Sequence, residues 1–110
     1  MRLKAKKASL NVFKSTQMST HVSHRDVWYT GRVQGVGFRA QTLAVARGFE
    51  VTGFVQNQPD GRVYLHAEGT DAEIDAFLGA IAERMDGHIR NTEQRAFAGL
   101  RTCDAFTLKP

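Results

Sequence analysis

Hydrophobic residues in this chain switch repeatedly between two spacings, and that alternation restricts the fold more than any single motif does. Over residues 26–33 the apolar set Val27, Tyr29 and Val33 alternates with Trp28, Thr30 and Arg32, the two-residue period of a strand. Over 38–47 the spacing lengthens: Phe38, Thr42, Val45 and then Phe49 recur every three or four residues, predicting a helix with Gly48 as its left-handed stop. Residues 51–56 read as a second strand. Asn57-Gln58-Pro59-Asp60-Gly61 reads as a turn, since proline fixes φ and glycine accepts φ > 0. Residues 62–68 alternate again, with Val63, Leu65 and Ala67 against Tyr64 and His66. Gly69 breaks this strand, and Thr70 with Glu73 predicts a capping box ahead of Ile74, Phe77, Leu78, Ile81 and Met85. Asp86-Gly87 ends that helix. Residues 89–97 are polar and weakly patterned, and are assigned as a strand because the chain must lead on to Phe106 and Leu108 through a loop at 98–104.

The resulting order, β-α-β-β-α-β with the last strand split in two, predicts a ferredoxin-like α+β sandwich: an antiparallel sheet with two helices on one face. A chain of 110 residues supports one such core. Its charge is unevenly distributed. Arg2, Lys4, Lys6, Lys7 and Lys14 give residues 1–24 five positive charges and no acid, whereas residues 25–110 carry ten basic and eleven acidic residues, a net of −1. Residues 1–24 therefore read as a basic, flexible extension and 25–110 as the domain. The extension lacks the apolar stretch of a secretory signal; it fits a solvated arm, sequence upstream of a natural start at Met18, or a transit peptide. Cys103 is the sole cysteine, which excludes an internal disulfide and a cysteine-rich zinc site and makes a reducing, cytoplasmic setting the expectation, or an organelle matrix if the extension is a transit peptide. No run of about 18 apolar residues occurs, so no membrane-spanning helix is expected.

The most informative segment is Gly31-Arg32-Val33-Gln34-Gly35-Val36-Gly37-Phe38-Arg39, which passes from a strand through a glycine loop into a helix N-terminus. Such a junction offers unpaired backbone N–H groups at the positive end of the helix dipole and suits an anion. Glycines at 35 and 37 let the loop curl with its amides inward, and Arg39 adds a planar fork that can hold two phosphate oxygens at once. Neither the G-x-x-x-x-G-K-[ST] nucleotide loop nor the G-x-G-x-x-G dinucleotide fingerprint is present. On glycines and one arginine alone, an anion site and an ordinary strand-to-helix connection both remain open.

G-R-V-Q-G-V-G-F-R at 31–39, G-F-V-Q-N at 53–57, P-D-G-R-V at 59–63 and A-E-G at 67–69, in this order, closely resemble the acylphosphatase family over roughly residues 26–109. The resemblance implies hydrolysis of the carboxyl-phosphate anhydride of small acyl phosphates to a carboxylate and inorganic phosphate, with no metal and no cofactor. It implies that Gln34, Gly35, Val36, Gly37 and Phe38 form a phosphate cradle, that Arg39 binds phosphate, and that Asn57 orients the attacking water. It further implies small molecules as substrates; a small monomer is the default for a domain with no leftover apolar stripe, and the residues favour neither nucleic acid nor membrane as partner. Met85-Asp86-Gly87-His88 stands where the family usually has a Gly-Pro turn.

Other residues invite roles that the pattern does not support. His66 reads as a surface or sheet-face residue. His21, His24 and His88 share no metal-ligand spacing with one another or with Cys103. Asp71, Glu73 and Asp75 read as solvated acids that complement a helix dipole. Asn57 has an alternative role as the cap of the following turn. Two other functions fit the same element order: a catalytically idle acylphosphatase-like module and an RNA-binding ferredoxin-like module. Against the latter, strand three offers Tyr64 alone as a stacking platform.

Overall fold

The computed structural model of the protein describes residues 21–110. Met18 and residues 1–20 of the expected basic arm lie outside the described residues; residues 21–24, expected to belong to that flexible arm, are instead the first residues of β1. Five strands and two helices follow in the order β1 (His21–Gly31), α1 (Phe38–Ala46), β2 (Thr52–Asn57), β3 (Val63–Gly69), α2 (Asp71–Arg84), β4 (Ile89–Leu100) and β5 (Phe106–Lys109). They make a ferredoxin-like α+β sandwich, with sheet order β4-β1-β3-β2-β5. Pairings β1·β4, β1·β3 and β2·β3 are antiparallel, but β5 lies parallel to β2. The sheet is thus mixed rather than wholly antiparallel, because residues 101–105 carry the chain from one edge to the other before the last strand begins.

The two faces of the sheet differ in chemistry. Val27, Tyr29, Val55, Val63, Leu65 and Ala67 form one side and pack with Phe38 and Val45 of α1 and Ile74, Phe77 and Ile81 of α2 in a single core. Val27, Val55, Leu65 and Phe77 are fully buried, which by itself contributes roughly 1.5–3 kcal/mol per side chain. Gly53 allows β2 to approach β3 closely at φ +143°, since a Cβ there would fall 1.8 Å from the His66 carbonyl oxygen.

Several ends differ from expectation for identifiable reasons. β1 starts at His21 rather than 26, because His21–Arg25 continue in register with Ala96–Leu100 of β4. α1 does not stop at a left-handed Gly48; it tapers through short bonds from Arg47 N–H to Ala44, Gly48 N–H to Val45 and Phe49 N–H to Ala46, and Gly48 is not among the positive-φ glycines. At α2 the Thr70 hydroxyl accepts from Glu73 N–H at 3.1 Å, as expected of the cap. The Glu73 carboxylate does not return the bond but accepts from Glu50 N–H at 2.8 Å, tying α2 to the start of β2. Beyond α2, the Met85 carbonyl accepts from His88 N–H and Ile89 N–H, and Arg32 N–H donates to the His88 carbonyl at 2.9 Å. This closes the connection to β4 without a Gly-Pro turn.

Candidate active site

The β1–α1 loop is shaped by which of its residues face inward. Val33 and Phe38 are 1% exposed and Val36 packs against the core, so Gly35 and Gly37 are left at the surface with φ of +77° and +81°. A Cβ at Gly37 would meet nothing within 4 Å; the glycine is needed for its backbone angle rather than for space. Gly37→Ala is accordingly expected to cost about 1–2 kcal/mol in denaturant unfolding through left-handed strain alone. A loss below about 0.3 kcal/mol would show that the loop does not need this conformation.

The Gln34 side chain does not point at a prospective ligand. Its Nε2 donates to the carbonyls of Gln58 at 2.8 Å and Arg62 at 3.0 Å, pinning the loop to the β2–β3 turn. That turn is closed by Asp60, whose carboxylate accepts from the Arg62 N–H and Nε, so the capping role considered for Asn57 belongs to another residue. Asn57, the last residue of β2, instead lines a cleft of about 170 Å³ together with Gly35, Gly37, Phe38, Arg39 and Leu108. Arg39 is half-buried in its wall, and its guanidinium donates to the Lys109 carbonyl at 2.7 Å, so β5 helps to aim it. The structure thus brings Gly35, Gly37 and Phe38 of the expected loop, with Arg39 and Asn57, onto one concavity, whereas Gln34 and Val36 do not line it. The first intrahelical bond of α1 is Gln41 N–H to Gly37, which leaves the amides of Phe38, Arg39 and Ala40 without helical acceptors. A larger groove of about 660 Å³ opens elsewhere, beside His21, Glu50, Thr70 and Arg101, next to where the described residues begin.

One cluster escaped the sequence reading. On the face of the sheet away from the helices, His24 (3% exposed), Asp26 (2%), His66 (8%) and Glu68 (0%) are buried together. His66 is a sheet-face residue, but it is not at the surface. Its Nδ1 lies 2.7 Å from Asp26 and its Nε2 2.8 Å from Glu68. Burial acts to push the Asp26 carboxyl up, but hydrogen bonds from His66, Arg95 and Tyr64 outweigh it and hold that carboxyl below its ordinary value. Burial likewise opposes ionisation of Glu68, yet bonds from the Thr102 hydroxyl, His66 and the amides of Thr102 and Cys103 bring it down to about 2. Of the acids at the start of α2, Asp71 and Asp75 are solvated as expected and pair with Arg25, whereas Glu73 is half-buried and holds the Glu50 N–H.

A family model described as Acylphosphatase matches residues 25–106. The chain is 40% identical over 80 residues to an acylphosphatase of Latilactobacillus sakei, covering 71% of this chain and 87% of that one. It is 54% identical over 71 residues to one from Synechococcus, covering 64% and 76% respectively. An Archaeoglobus fulgidus acylphosphatase matches at 48% over 56 residues, 51% of this chain and 63% of its own length. Among solved structures, the acylphosphatase of Bacillus subtilis superposes with a TM-score of 0.72 at 26% identity, over 80% of this chain and 99% of that one. The same fold, at 22% identity and a TM-score of 0.65, occupies 12% of the full-length HypF chain. No helix among the described residues is long and apolar enough to cross a membrane. The family model spans most of the described chain, and the solved acylphosphatase of Bacillus subtilis shares its fold; the chain belongs to the acylphosphatase family.

Proposed function

We propose that the cleft bounded by the Gly35–Gly37 loop, Arg39 and Asn57 is where this protein hydrolyses acyl phosphates. The observation that carries this reading is the uncapped, cation-bearing N-terminus of α1. In α2 the first turn holds Asp71 and Glu73 behind a Thr70 cap and the last turn holds Arg84, an arrangement that complements the helix dipole. α1 begins at a glycine with no side-chain cap, has no acid in its first turn, and places Arg39 there instead. A cation beside the positive end of a helix costs stability unless an anion lies between them, and a phosphoryl group supplies that anion.

In the proposed reaction the loop amides of 34–38 and the Arg39 guanidinium donate to the non-bridging phosphoryl oxygens. Asn57 holds a water through its side-chain amide, in line with the bond to be broken. The water oxygen bonds to phosphorus, the bond from phosphorus to the acyl oxygen breaks, and the carboxylate leaves with the electron pair. The water's proton passes to a phosphate oxygen, giving inorganic phosphate. A carboxylate is a weak base and leaves without a proton donor, so positioning and charge stabilisation suffice and neither a protein base nor a metal enters the steps.

The unit that performs this is the domain that begins with β1 at His21 and runs to residue 110, acting as a cytoplasmic monomer. The lone thiol of Cys103 supports a reducing compartment. A near-neutral body, rather than a basic one, supports small molecules over nucleic acid as partners. The test is hydrolysis of benzoyl phosphate by the purified chain in the presence of a chelator; activity abolished by chelation overturns the metal-free steps. Asn57→Ala is expected to lower kcat about 100-fold while the inhibition constant of inorganic phosphate stays within about twofold, because the substitution removes the water's partner and not the phosphate's. A near-normal kcat removes Asn57 from the mechanism.

A further inference from the structure

We propose that His24, His66 and Glu68 form a site for a divalent transition-metal ion of the zinc class on the helix-free face of the sheet, separate from the hydrolytic cleft. The three residues offer ligand atoms that all lie within 4.8 Å of one another, with His24 Nδ1 at 3.5 Å and His66 Nε2 at 2.8 Å from the Glu68 carboxylate. Strand register makes this juxtaposition: His24 faces Glu68 and Asp26 faces His66 across β1 and β3.

Two features separate the cluster from an ordinary buried ion-pair network. First, His24 Nδ1 is buried without a hydrogen-bond partner. Its Nε2 lies 2.9 Å from the Leu100 carbonyl, which can only accept, so Nε2 carries a proton and Nδ1, 3.5 Å from the Glu68 carboxylate, is the nitrogen open to a ligand. A buried imidazole nitrogen without a hydrogen-bond partner in a carboxylate-bearing site is what a metal ion satisfies. Second, the outer contacts match those of metal-binding histidines, whose second nitrogen donates to a carbonyl or a carboxylate that fixes ring orientation. His24 does so to the Leu100 carbonyl, and His66 Nδ1 to Asp26. Asp26 is itself held by the Tyr64 hydroxyl and Arg95, each at 2.7 Å.

A metal would take the place of the proton between His66 Nε2 and Glu68. Drawing the three atoms in to tetrahedral bonding distances of about 2.0–2.2 Å needs side-chain shifts on the order of 1 Å, and leaves a fourth position for water. Two imidazoles and one carboxylate select zinc, cobalt or nickel over magnesium or calcium. Because Glu68 also accepts from the amides of Thr102 and Cys103, the ion would tie β1 and β3 to the segment leading into β5.

The experiment titrates the untagged, chelator-treated chain with zinc and with cobalt, following heat, melting temperature and the visible spectrum of bound cobalt. Binding of one ion per chain is expected, with four-coordinate cobalt bands and a melting temperature raised by about 10 °C or more at a hundredfold excess over Kd. Magnesium and calcium should produce neither effect. His24→Gln keeps a donor for the Leu100 carbonyl and is expected to weaken binding at least about 100-fold, as loss of a direct ligand should exceed the effect of losing an outer-shell partner. His21→Gln, the control for surface histidines, should change nothing. Folding of the His24→Gln chain is checked by benzoyl phosphate hydrolysis, which uses a different site. No stoichiometric binding by the parent chain, or binding unchanged by His24→Gln in a folded variant, overturns the proposal and leaves the cluster an ion-pair network.

Discussion

Arg39→Ala is expected to reduce kcat/KM for benzoyl phosphate by about 1,000-fold or more and to remove measurable inhibition by inorganic phosphate. The size follows from the role: an arginine that neutralises charge on a transferring phosphoryl group is worth roughly 10³–10⁵ in rate, and a 1,000-fold loss corresponds to about 4 kcal/mol of transition-state stabilisation. Here the guanidinium is held in the cleft wall by a hydrogen bond to the Lys109 carbonyl, and it adjoins amides that already lack helical acceptors. Alanine leaves those amides in place but removes the only formal positive charge among the described residues that line the cleft. Arg39→Lys restores charge without the two-pronged fork and is expected to recover little of the loss. Added guanidinium should partly restore the Ala variant, because it returns the missing group without the chain. Stability should change by less than about 1 kcal/mol, since a half-exposed arginine in the first turn of a helix opposes the dipole. A variant within tenfold of the parent in kcat/KM would place phosphate binding elsewhere.

How much of this was legible in the sequence depended on whether each residue's surroundings are local. The cradle was legible because its requirements are local: glycine angles, inward Val33 and Phe38, and a helix start follow one another within a few residues. The core face was legible too, because Val63, Leu65 and Ala67 or Ile74, Phe77 and Ile81 keep a strict period against a continuous core. β4 was poorly patterned for a physical reason. It is an edge strand exposed at nearly every position, so no alternation of burial exists to leave a trace in residue type. The beginning of β1 was missed because His21, Ser23 and His24 are polar, and their strand character comes from pairing with β4 some 70 residues later. The same non-locality hid the cluster of His24, Asp26, His66 and Glu68. About 40 positions separate the pair on β1, His24 and Asp26, from the pair on β3, His66 and Glu68, and strand register brings the two pairs together.

That cluster carries the largest expected effect on stability. Asp26→Ala should destabilise the fold by about 3–5 kcal/mol, the cost of breaking a buried ion pair from one side. Three donors, the Tyr64 hydroxyl, His66 Nδ1 and Arg95, each lie 2.7 Å from this one carboxylate, and His66 and Glu68 lie too deep for water to replace it. For a domain of this size the melting temperature should fall by about 15 °C or more. His66 explains why the penalty is concentrated. Both its ring nitrogens face carboxylate oxygens, so all contacts are satisfied when the ring carries two protons, and losing Asp26 leaves one of those donors buried and unpaired. Replacing Asp26, His66 and Glu68 together with apolar residues of similar volume should recover much of the loss, because it removes both the charges and the cost of desolvating them. Equilibrium denaturation of the single and triple variants decides the matter. A loss below about 1 kcal/mol for Asp26→Ala would mean that water reaches the cluster. If the triple variant matches the parent, the fold does not need these charges for stability.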